Sequence, residues 1–366
     1  MPVGYSKTGV MPVPEVDFLK QGKVSKSFIL TAFIGAAAVI CAMAAGIYIL
    51  KKWQPLRESG SAPFTSKNAS SVSPSSQNPQ WDGDFTDFLI CGIDNTNSLT
   101  DVIMLVGFDN STKKISILQI PRDTYAGADI PSYKYNAVYG HHQKNVSGME
   151  TLKARVESDF GVKIGNYAAV TTKGLREIVD AAGGVDLDVP INMNYDDPGQ
   201  NLHIHLPAGR RHLDGSQAEQ FVRYRKGWIQ GDLGRLDAQR IFLAAFTNKL
   251  RGMNAWKLAS KVLPVVKAPD FITDLSAYEM LNLWGSARNV DLKNAAVYLM
   301  PGEPYTGKGG AALYSVHKGE LLQILNNGFV PKGVKLNPDD LSIIEMRNTE
   351  KFYDTKSNFE NILNSK

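Results

Sequence analysis

The chain has 366 residues, of which 43% are hydrophobic and 21% charged, a composition that can bury a sizeable core and argues against a wholly disordered or fibrous protein. Its 40 basic and 36 acidic side chains give a formal charge of +4, which by itself suggests an acidic partner. The excess of positive charge lies in one part of the chain, however, because residues 1–80 carry a charge of +5 and residues 81–366 a charge of −1. We therefore expect no extended basic surface and no nucleic-acid partner.

A long apolar segment lies near the N-terminus. Residues 27–50 contain no charged side chain, and as a helix they would span roughly 36 Å, enough for a bilayer core of about 30 Å. A cleaved signal peptide has a shorter apolar region of about 7–15 residues. Lipid attachment at Cys41 would need a small residue before it, where Ile40 stands. We predict a single transmembrane helix over 27–50.

The segments on either side of this helix differ in composition. Lysines flank both of its ends, so charge does not decide its orientation, but the short tail at 1–26 favours a cytoplasmic N-terminus and an external main domain. Residues 51–83 are rich in serine and proline and are predicted to form a flexible stalk. A folded domain is predicted over 84–330, and a C-terminal extension over 331–366 whose polar residues from 347 onward indicate a loose tail.

Three apolar runs at the start of the domain predict consecutive β-strands, at 85–93, 102–109 and 113–120. The turn at 110–112 is too short for a crossover, so the second and third strands should form an antiparallel hairpin. The loop after the first strand is also short and should reverse the chain. One end of the sheet would then bring together four charged side chains: Asp94, Asp101, Arg122 and Asp123.

Two carboxylates beside a guanidinium group suit a divalent cation that holds a phosphate. Mg²⁺ prefers oxygen ligands, and arginine binds phosphate oxygens with a planar fork. Alternatively, Asp94 and Asp101 cap turns, and Arg122 pairs with Asp123 at the surface. The pattern by itself leaves both interpretations open.

In the middle of the domain, the sequence pattern predicts a helix at 174–182 that ends at a glycine pair, followed by a strand at 185–190. Asp214 is expected to cap a further helix, with Gln217 three residues later. A long amphipathic helix should begin at Asp232, and its core face is predicted to consist of Leu236, Phe242, Ala245 and Phe246.

Three arginines occur close together in this part of the chain. Arg223 and Arg225 point the same way on an extended backbone. Arg235 lies in the first turn of a helix, where a positive charge opposes the helix dipole. It is therefore expected to interact with another group and not to serve the stability of the helix. They are either ordinary solvated or ion-paired side chains or an anion pocket. Asn136, among aromatic residues, is either a loop residue or a substrate contact.

The sequence resembles the LytR-CpsA-Psr family over roughly residues 84–330. The resemblance rests on several uncommon motifs that follow the family's order, namely FLICGID, TDVIMLVGFD, ISILQIPRDT, YKYNAVYG, LREIVDAAGGVDLDVP, LDGSQAEQFVRYR and DLGRLDAQR. It implies an α/β fold with a central mixed β-sheet flanked by helices, and a hydrophobic pocket for a polyprenyl tail.

The resemblance also implies an activity. Such proteins are bacterial membrane-anchored phosphotransferases that move a glycopolymer from an undecaprenyl-pyrophosphate carrier to peptidoglycan, outside the cytoplasmic membrane and with Mg²⁺. Matched by motif, the metal-associated carboxylates are Asp94 and Asp101. Asp123 would orient or deprotonate the acceptor, and Asn136 would contact substrate. The catalytic arginines that bind pyrophosphate would be Arg122, Arg223, Arg225 and Arg235.

The chain departs from the family pattern at two positions where an arginine is usual, Leu99 and Ala238. Arg240 and Lys134 are candidates to replace the missing charges. A non-catalytic protein that binds polyprenyl phosphate or glycan is therefore an alternative, as is hydrolysis with water as acceptor. A transcriptional attenuator, a description attached to this family, is a further alternative, although residues 1–26 are too few for a helix-turn-helix domain.

Overall fold

The computed structural model of the chain describes residues 85–94, 99–200, 202–228, 232–253, 260–266, 270–276, 295–349 and 353–358, together with Lys257 and Glu279. The predicted cytoplasmic tail, transmembrane helix and stalk lie outside these residues. None of the helices within the described ranges is long and apolar enough to cross a membrane.

A mixed β-sheet forms the centre of the fold. It orders its strands β11-β10-β3-β2-β1-β4-β9, and β12 also pairs with β10. The pairs β1–β4 and β3–β10 are parallel, and the others are antiparallel. Two separate antiparallel ribbons pair β5 with β8 and β6 with β7. The strand bounds are β1 Phe85–Ile93, β2 Thr100–Asp109, β3 Lys114–Ile120, β4 Ile164–Thr171, β5 Val185–Val189, β6 Met193–Asp197, β7 Leu202–Leu206, β8 Gly209–Leu213, β9 Phe271–Thr273, β10 Ala296–Thr306, β11 Ala312–Val316 and β12 Tyr353–Asn358.

The predicted antiparallel arrangement of the first three strands is confirmed. The second strand begins earlier than predicted, at Thr100, so Asp101 belongs to the strand. Gly92 is opposite Val102 and Ile93 is opposite Thr100, which makes Asp101 an extra residue without a counterpart in β1. Such a β-bulge bends the strand locally and changes the direction of a side chain. The bulge therefore lies at the sheet end where the charged side chains were expected to meet.

Helices cover both faces of the sheet. Their bounds are α1 Gly148–Phe160, α2 Thr172–Ala182, α3 Gly215–Arg223, α4 Asp232–Arg251, α5 Leu263–Val266 and α6 Lys318–Gly328, with 3-10 turns at Tyr135–Ala137, Pro198–Gln200, Lys308–Gly310 and Pro338–Asp340. The predicted capping box of Asp214 and Gln217 begins α3. Gly183, with φ of 80°, ends α2 in the left-handed conformation that glycine adopts without steric cost.

Two clusters of buried hydrophobic side chains lie between the sheet and the helices, one on each face of the sheet. One contains side chains from the sheet, α2, α3 and α4, among them Ile178, Phe221 and Phe242. The other lies on the opposite face with α1 and α6, and includes Leu152 and Leu325. The protein is thus a mixed α/β fold with a central mixed sheet flanked by helices, as predicted.

The predicted long helix is α4, and most of its predicted core face is confirmed. Leu236, Phe242 and Phe246 are buried, whereas Ala245 is half-buried. Its apolar face packs against the cluster that contains α2 and α3.

The C-terminal extension packs against the domain. The Ser315 hydroxyl accepts hydrogen bonds from the backbone N–H groups of Met346 and Arg347 and donates one to the Arg347 carbonyl. The loose tail predicted from residue 347 is wrong for Tyr353–Asn358, which form β12 on the edge of β10. Backbone hydrogen bonds to a sheet edge need no apolar pattern, so the polar sequence did not reveal this strand.

A matched pair of isoleucines tests how firmly this extension is packed. Ile343 is 2% exposed and its neighbour Ile344 is 42% exposed. We expect Ile343→Ala to lower the free energy of unfolding by about 2–4 kcal/mol, because it removes buried methyl groups and leaves a cavity. The control Ile344→Ala should change it by no more than about 0.5 kcal/mol. Equal effects of both variants in urea denaturation would show that the extension is not part of the core.

Candidate functional site

A cavity of about 540 Å³ opens where β1 ends and β2 begins. Its buried wall is apolar and is formed by side chains of the sheet, α2, α3 and β7, including Ile90, Val170, Leu175, Leu202 and Val222. Charged side chains, most of them partly exposed, complete the lining: Asp94, Asp101, Arg122, Arg223, Arg225, Lys226 and Arg235. The cavity thus combines a hydrophobic interior with a strongly cationic rim.

The Asp101 carboxylate holds three arginines together. Its Oδ1 atom lies 2.6 Å from Nη1 of Arg122, 3.3 Å from Nη1 of Arg235 and 3.4 Å from Nη2 of Arg225. These arginines follow β3, lie in the first turn of α4 and follow α3, respectively. One carboxylate oxygen therefore joins three segments that are far apart in the chain.

The electrostatic surroundings of Asp101 favour its ionised form. Burial raises the pKa of this carboxyl group, but the positive charges of Arg235, Arg122 and Arg225, together with the hydrogen bond from Arg122, outweigh burial and hold the pKa below 3.8. Asp101 is a carboxylate at neutral pH.

Arg235 is 2% exposed and has the position predicted to be unfavourable for the helix dipole. Its contact with Asp101 supplies the compensating negative charge. Arg225 is 47% exposed, so solvent screens its longer contact with Asp101. Arg223 ends α3, where a positive charge suits the helix dipole, and its Nη1 lies 2.8 Å from Oε1 of Glu219 one turn earlier.

Asp94 follows β1, and its side chain lines the same cavity as Asp101. The Asp94 backbone N–H donates a hydrogen bond to the Leu99 carbonyl, which closes the connection to β2. Leu99 also lines the cavity and is exposed. Within the part of the chain that the structure describes, no three His, Cys, Asp or Glu side chains form a group able to hold a metal ion.

Two predicted site residues do not line the cavity. Asp123 contacts Nζ of Lys134 at 2.8 Å, and its Oδ2 is 4.0 Å from Nε of Arg122. The predicted alternative, in which Arg122 pairs with Asp123, corresponds to the longer of the two Arg122 contacts, since the contact with Asp101 is 2.6 Å long.

Asn136 is 7% exposed and acts through its backbone. Its N–H donates a hydrogen bond to the Arg122 carbonyl, and its carbonyl accepts one from the Thr100 hydroxyl. Its side-chain oxygen has no hydrogen-bond partner among the described residues. Asn136 therefore supports the backbone that carries Arg122, which agrees with the loop-residue interpretation, and its role as a substrate contact stays a prediction.

Gln239 is a residue of the site that was not predicted, and Arg240 does not have its predicted position. Gln239 lies one helical turn after Arg235 and lines the cavity, and its side chain donates a hydrogen bond to the Val222 carbonyl. The four-residue spacing from Arg235 is a signal that could have identified it.

Arg240 does not line the cavity, and neither does Lys134, so neither replaces the missing family arginines there. Arg240 is buried and donates hydrogen bonds to Gln119 on β3 and to Asp237. Burial raises the pKa of Asp237 to about 7, although the Arg240 charge opposes this rise. This buried group ties α4 to the strand that leads to Arg122.

The fold and the site define a mixed α/β domain with a cavity that is both apolar and cationic. The LytR_cpsA_psr family model matches residues 58–329, and the chain belongs to this family.

Relatives include two proteins named polyisoprenyl-teichoic acid–peptidoglycan teichoic acid transferase. TagV of Bacillus subtilis is 28% identical over 218 residues, covering 56% of this chain and 54% of TagV. TagU of Oceanobacillus iheyensis is 29% identical over 221 residues, covering 56% of this chain and 65% of TagU.

The matched part of the chain thus spans little more than half to about two thirds of the length of these relatives. The crystal structure of Bacillus subtilis TagV has the same fold. It superposes with a TM-score of 0.55 at 22% identity, covering 66% of this chain and 94% of the crystallised one.

The pKa of Asp101 leads to a prediction about stability. A carboxyl group with a lowered pKa stabilises the folded state fully above its unfolded value of 3.8, and this contribution is lost as the pH falls through the folded pKa. Asp101→Asn should lower the free energy of unfolding by a constant amount between about pH 5 and about pH 7. The difference from the wild type should shrink below about pH 4. A difference that does not change with pH in chemical denaturation would contradict the ionic origin of this contribution.

Proposed function

We propose that the protein is a phosphotransferase that moves a glycopolymer from a polyprenyl-pyrophosphate carrier to peptidoglycan. The observation that carries the proposal is a single cavity that combines an apolar wall with an arginine cluster centred on Asp101. Family membership and the names of TagV and TagU, which are teichoic acid transferases, support it.

The cavity suits a ligand with a long hydrocarbon and a highly charged head group. Among its described lining residues, five are cationic and two are carboxylates, an excess that a pyrophosphate would neutralise. The apolar side chains of the wall offer the hydrocarbon a surface away from water, worth about 0.8 kcal/mol for each buried CH₂ group. A soluble nucleotide would use the arginines but not this wall.

Mg²⁺ is part of the proposal, and the donor set fits it. Mg²⁺ is usually bound through one or two carboxylates, with substrate phosphates and water completing the coordination. Asp94 and Asp101 provide two carboxylates on one cavity, and Asp101 is ionised at neutral pH. When bound there, the ion would neutralise charge on the phosphates.

The proposed reaction is an attack by a peptidoglycan hydroxyl on the phosphorus next to the glycopolymer. A new bond forms between the hydroxyl oxygen and this phosphorus, and the bond from phosphorus to the bridging oxygen of the pyrophosphate breaks. The polyprenyl phosphate leaves with the bonding electrons, and the acceptor proton passes to Asp123 and then to solvent. Arg122, Arg225 and Arg235 would stabilise the charge that develops on the phosphate oxygens.

The proposed location is the outer face of a bacterial cytoplasmic membrane. A transmembrane helix over residues 27–50 would hold the domain near a carrier whose hydrocarbon lies in the bilayer. The lysines beside this helix would contact anionic lipid head groups. Residues 51–83 would allow the domain to reach acceptors at some distance from the bilayer.

A second function, binding of a polyprenyl phosphate or glycan without turnover, is favoured by one observation. Leu99 and Ala238 stand where the family usually has arginine, and Arg240 is directed to Gln119 and Asp237 and does not line the cavity. A wild-type protein that binds the carrier but transfers nothing to any wall acceptor would support this second function.

Substitution of Arg122 tests the transferase proposal. We expect Arg122→Ala to lower transfer from a polyprenyl-pyrophosphate-linked glycopolymer by about 10²–10³-fold, because it removes one charge-stabilising contact. The control is Arg210→Ala, an exposed arginine on β8 that does not line the cavity. Arg210→Ala should transfer at the wild-type rate. Wild-type activity of Arg122→Ala, with its fold checked by circular dichroism, would exclude the proposed role.

Metal removal tests the role of the two carboxylates. We expect transfer by the wild type to stop after chelation and to return on addition of Mg²⁺. Asp94→Ala should abolish Mg²⁺-dependent transfer while leaving the circular dichroism spectrum and the unfolding temperature close to those of the wild type. Full activity of the chelated wild-type protein would refute the assignment of the metal to this site.

A further inference from the structure

Beside the cavity lies a second surface that the proposed donor does not use. It is formed by Asp123, Tyr125, Tyr133 and Lys134, and we call it the tyrosine face. We propose that the tyrosine face binds the acceptor glycan, with Asp123 next to the attacking hydroxyl. This inference rests on the proposed transferase function and names the place where its second substrate binds.

The backbone explains why these side chains share a face. Thr124 pairs in parallel with Tyr314, and the residues on both sides of Thr124 form hydrogen bonds with Tyr314. Thr124 is buried, whereas its neighbours Asp123 and Tyr125 are both partly exposed. Tyr125 in turn lies opposite Lys134 in an antiparallel bridge, which places both side chains on one face.

Side-chain contacts agree with this placement. Nζ of Lys134 lies 2.8 Å from Oδ1 of Asp123, and both side chains are partly exposed. The rings of Tyr125 and Tyr133 stack, with centroids 6.4 Å apart and an interplanar angle of 18°. The face therefore joins a charged pair to two neighbouring aromatic rings.

Tyr133 has an unusual backbone conformation. Its φ of 61° is in the left-handed region, which bulky residues rarely adopt. Two backbone hydrogen bonds maintain it, from the Tyr133 N–H to the Ile130 carbonyl and from the Ala126 N–H to the Tyr133 carbonyl, both 2.8 Å long. The residue is nevertheless 38% exposed. The chain thus keeps a large aromatic side chain at the surface in a conformation that asparagine or glycine would adopt more easily.

A sugar has the complementary chemistry. Its C–H faces pack on tyrosine rings, which are apolar on their faces and polar at the hydroxyl. Its hydroxyl and amide groups can bond to a carboxylate that accepts and an ammonium group that donates. Most of the polar groups of a glycan are neutral hydroxyl and amide groups, which need no large excess of charge, and Asp123 and Lys134 neutralise each other.

Arg122 connects the tyrosine face to the cavity. Its Nη1 contacts Asp101 at 2.6 Å, while its Nε lies 4.0 Å from Oδ2 of Asp123. A hydroxyl bound at Asp123 would therefore lie beside the guanidinium group proposed to hold the pyrophosphate. This short distance is what a transfer between two bound substrates requires.

Two variants of one residue separate the ring from the backbone. Tyr133→Asn removes the ring and retains a residue that tolerates the left-handed conformation, whereas Tyr133→Phe keeps the ring. We would titrate the 366-residue chain in detergent with a soluble tetrasaccharide of alternating N-acetylglucosamine and N-acetylmuramic acid, using calorimetry. We expect binding to Tyr133→Asn to be weaker than to the wild type by about 3- to 10-fold, and binding to Tyr133→Phe to be nearly unchanged.

The wild type, Tyr133→Asn and Tyr133→Phe should also be titrated with a polyprenyl pyrophosphate. All three proteins should bind it with the same affinity. The KM for acceptor in the transfer assay should rise in Tyr133→Asn in parallel with the weaker binding. If Tyr133→Asn does not fold, Tyr125→Leu removes the other ring and should show the same selective loss.

The outcomes separate this inference from the transferase proposal. Wild-type transfer with an unchanged acceptor KM in Tyr133→Asn would overturn the inference and leave the transferase function intact. Failure of the wild type to bind the tetrasaccharide at millimolar concentration would also overturn it. Ring-dependent binding of the tetrasaccharide without transfer of any polymer would support the tyrosine face and refute the transferase.

Discussion

The arrangement of the site depends on one carboxylate, that of Asp101. One of its two oxygens, Oδ1, contacts guanidinium groups from three segments, and two of these contacts span more than 120 residues of sequence. Without it, like charges would repel each other at the rim of an apolar cavity. The same negative charge lowers the net charge that an entering anion meets. Asp101 thus holds the arginines together while leaving the cavity with a net positive charge that attracts phosphate.

Much of this arrangement could be predicted from short loops. The turn at 110–112 permits only a hairpin, so the ends of β1 and β3 had to meet the start of β2, and Asp94, Asp101 and Arg122 lie together for that reason. The position of Asp123 next to Arg122 predicts that it joins them. Adjacent residues project in different directions, however, and Arg122 extends to Asp101 while Asp123 extends to Lys134.

Other features depend on contacts that no local pattern encodes. Arg225 and Arg235 contact Asp101, and Arg223 lines the same cavity, because α3 and α4 pack on the same face of the sheet. The clustering of these arginines in the sequence indicates an anion pocket as one of two interpretations, but it does not identify Asp101 as their partner. The burial of Arg240 was not predicted, because its partner Gln119 is on a distant strand. Strand β12 was missed for a related reason, since edge pairing uses backbone groups that every residue possesses.

The bulge at Asp101 makes the site sensitive to chain length. In a regular strand, side chains alternate between the two faces, and one additional residue reverses this alternation beyond it. Asp101 is the one residue between Thr100 and Val102, so its deletion would restore regular pairing with β1 and also remove the carboxylate that contacts three arginines. A one-codon deletion there would therefore remove the bulge and the carboxylate together, whereas Asp101→Asn removes only the negative charge and retains the bulge.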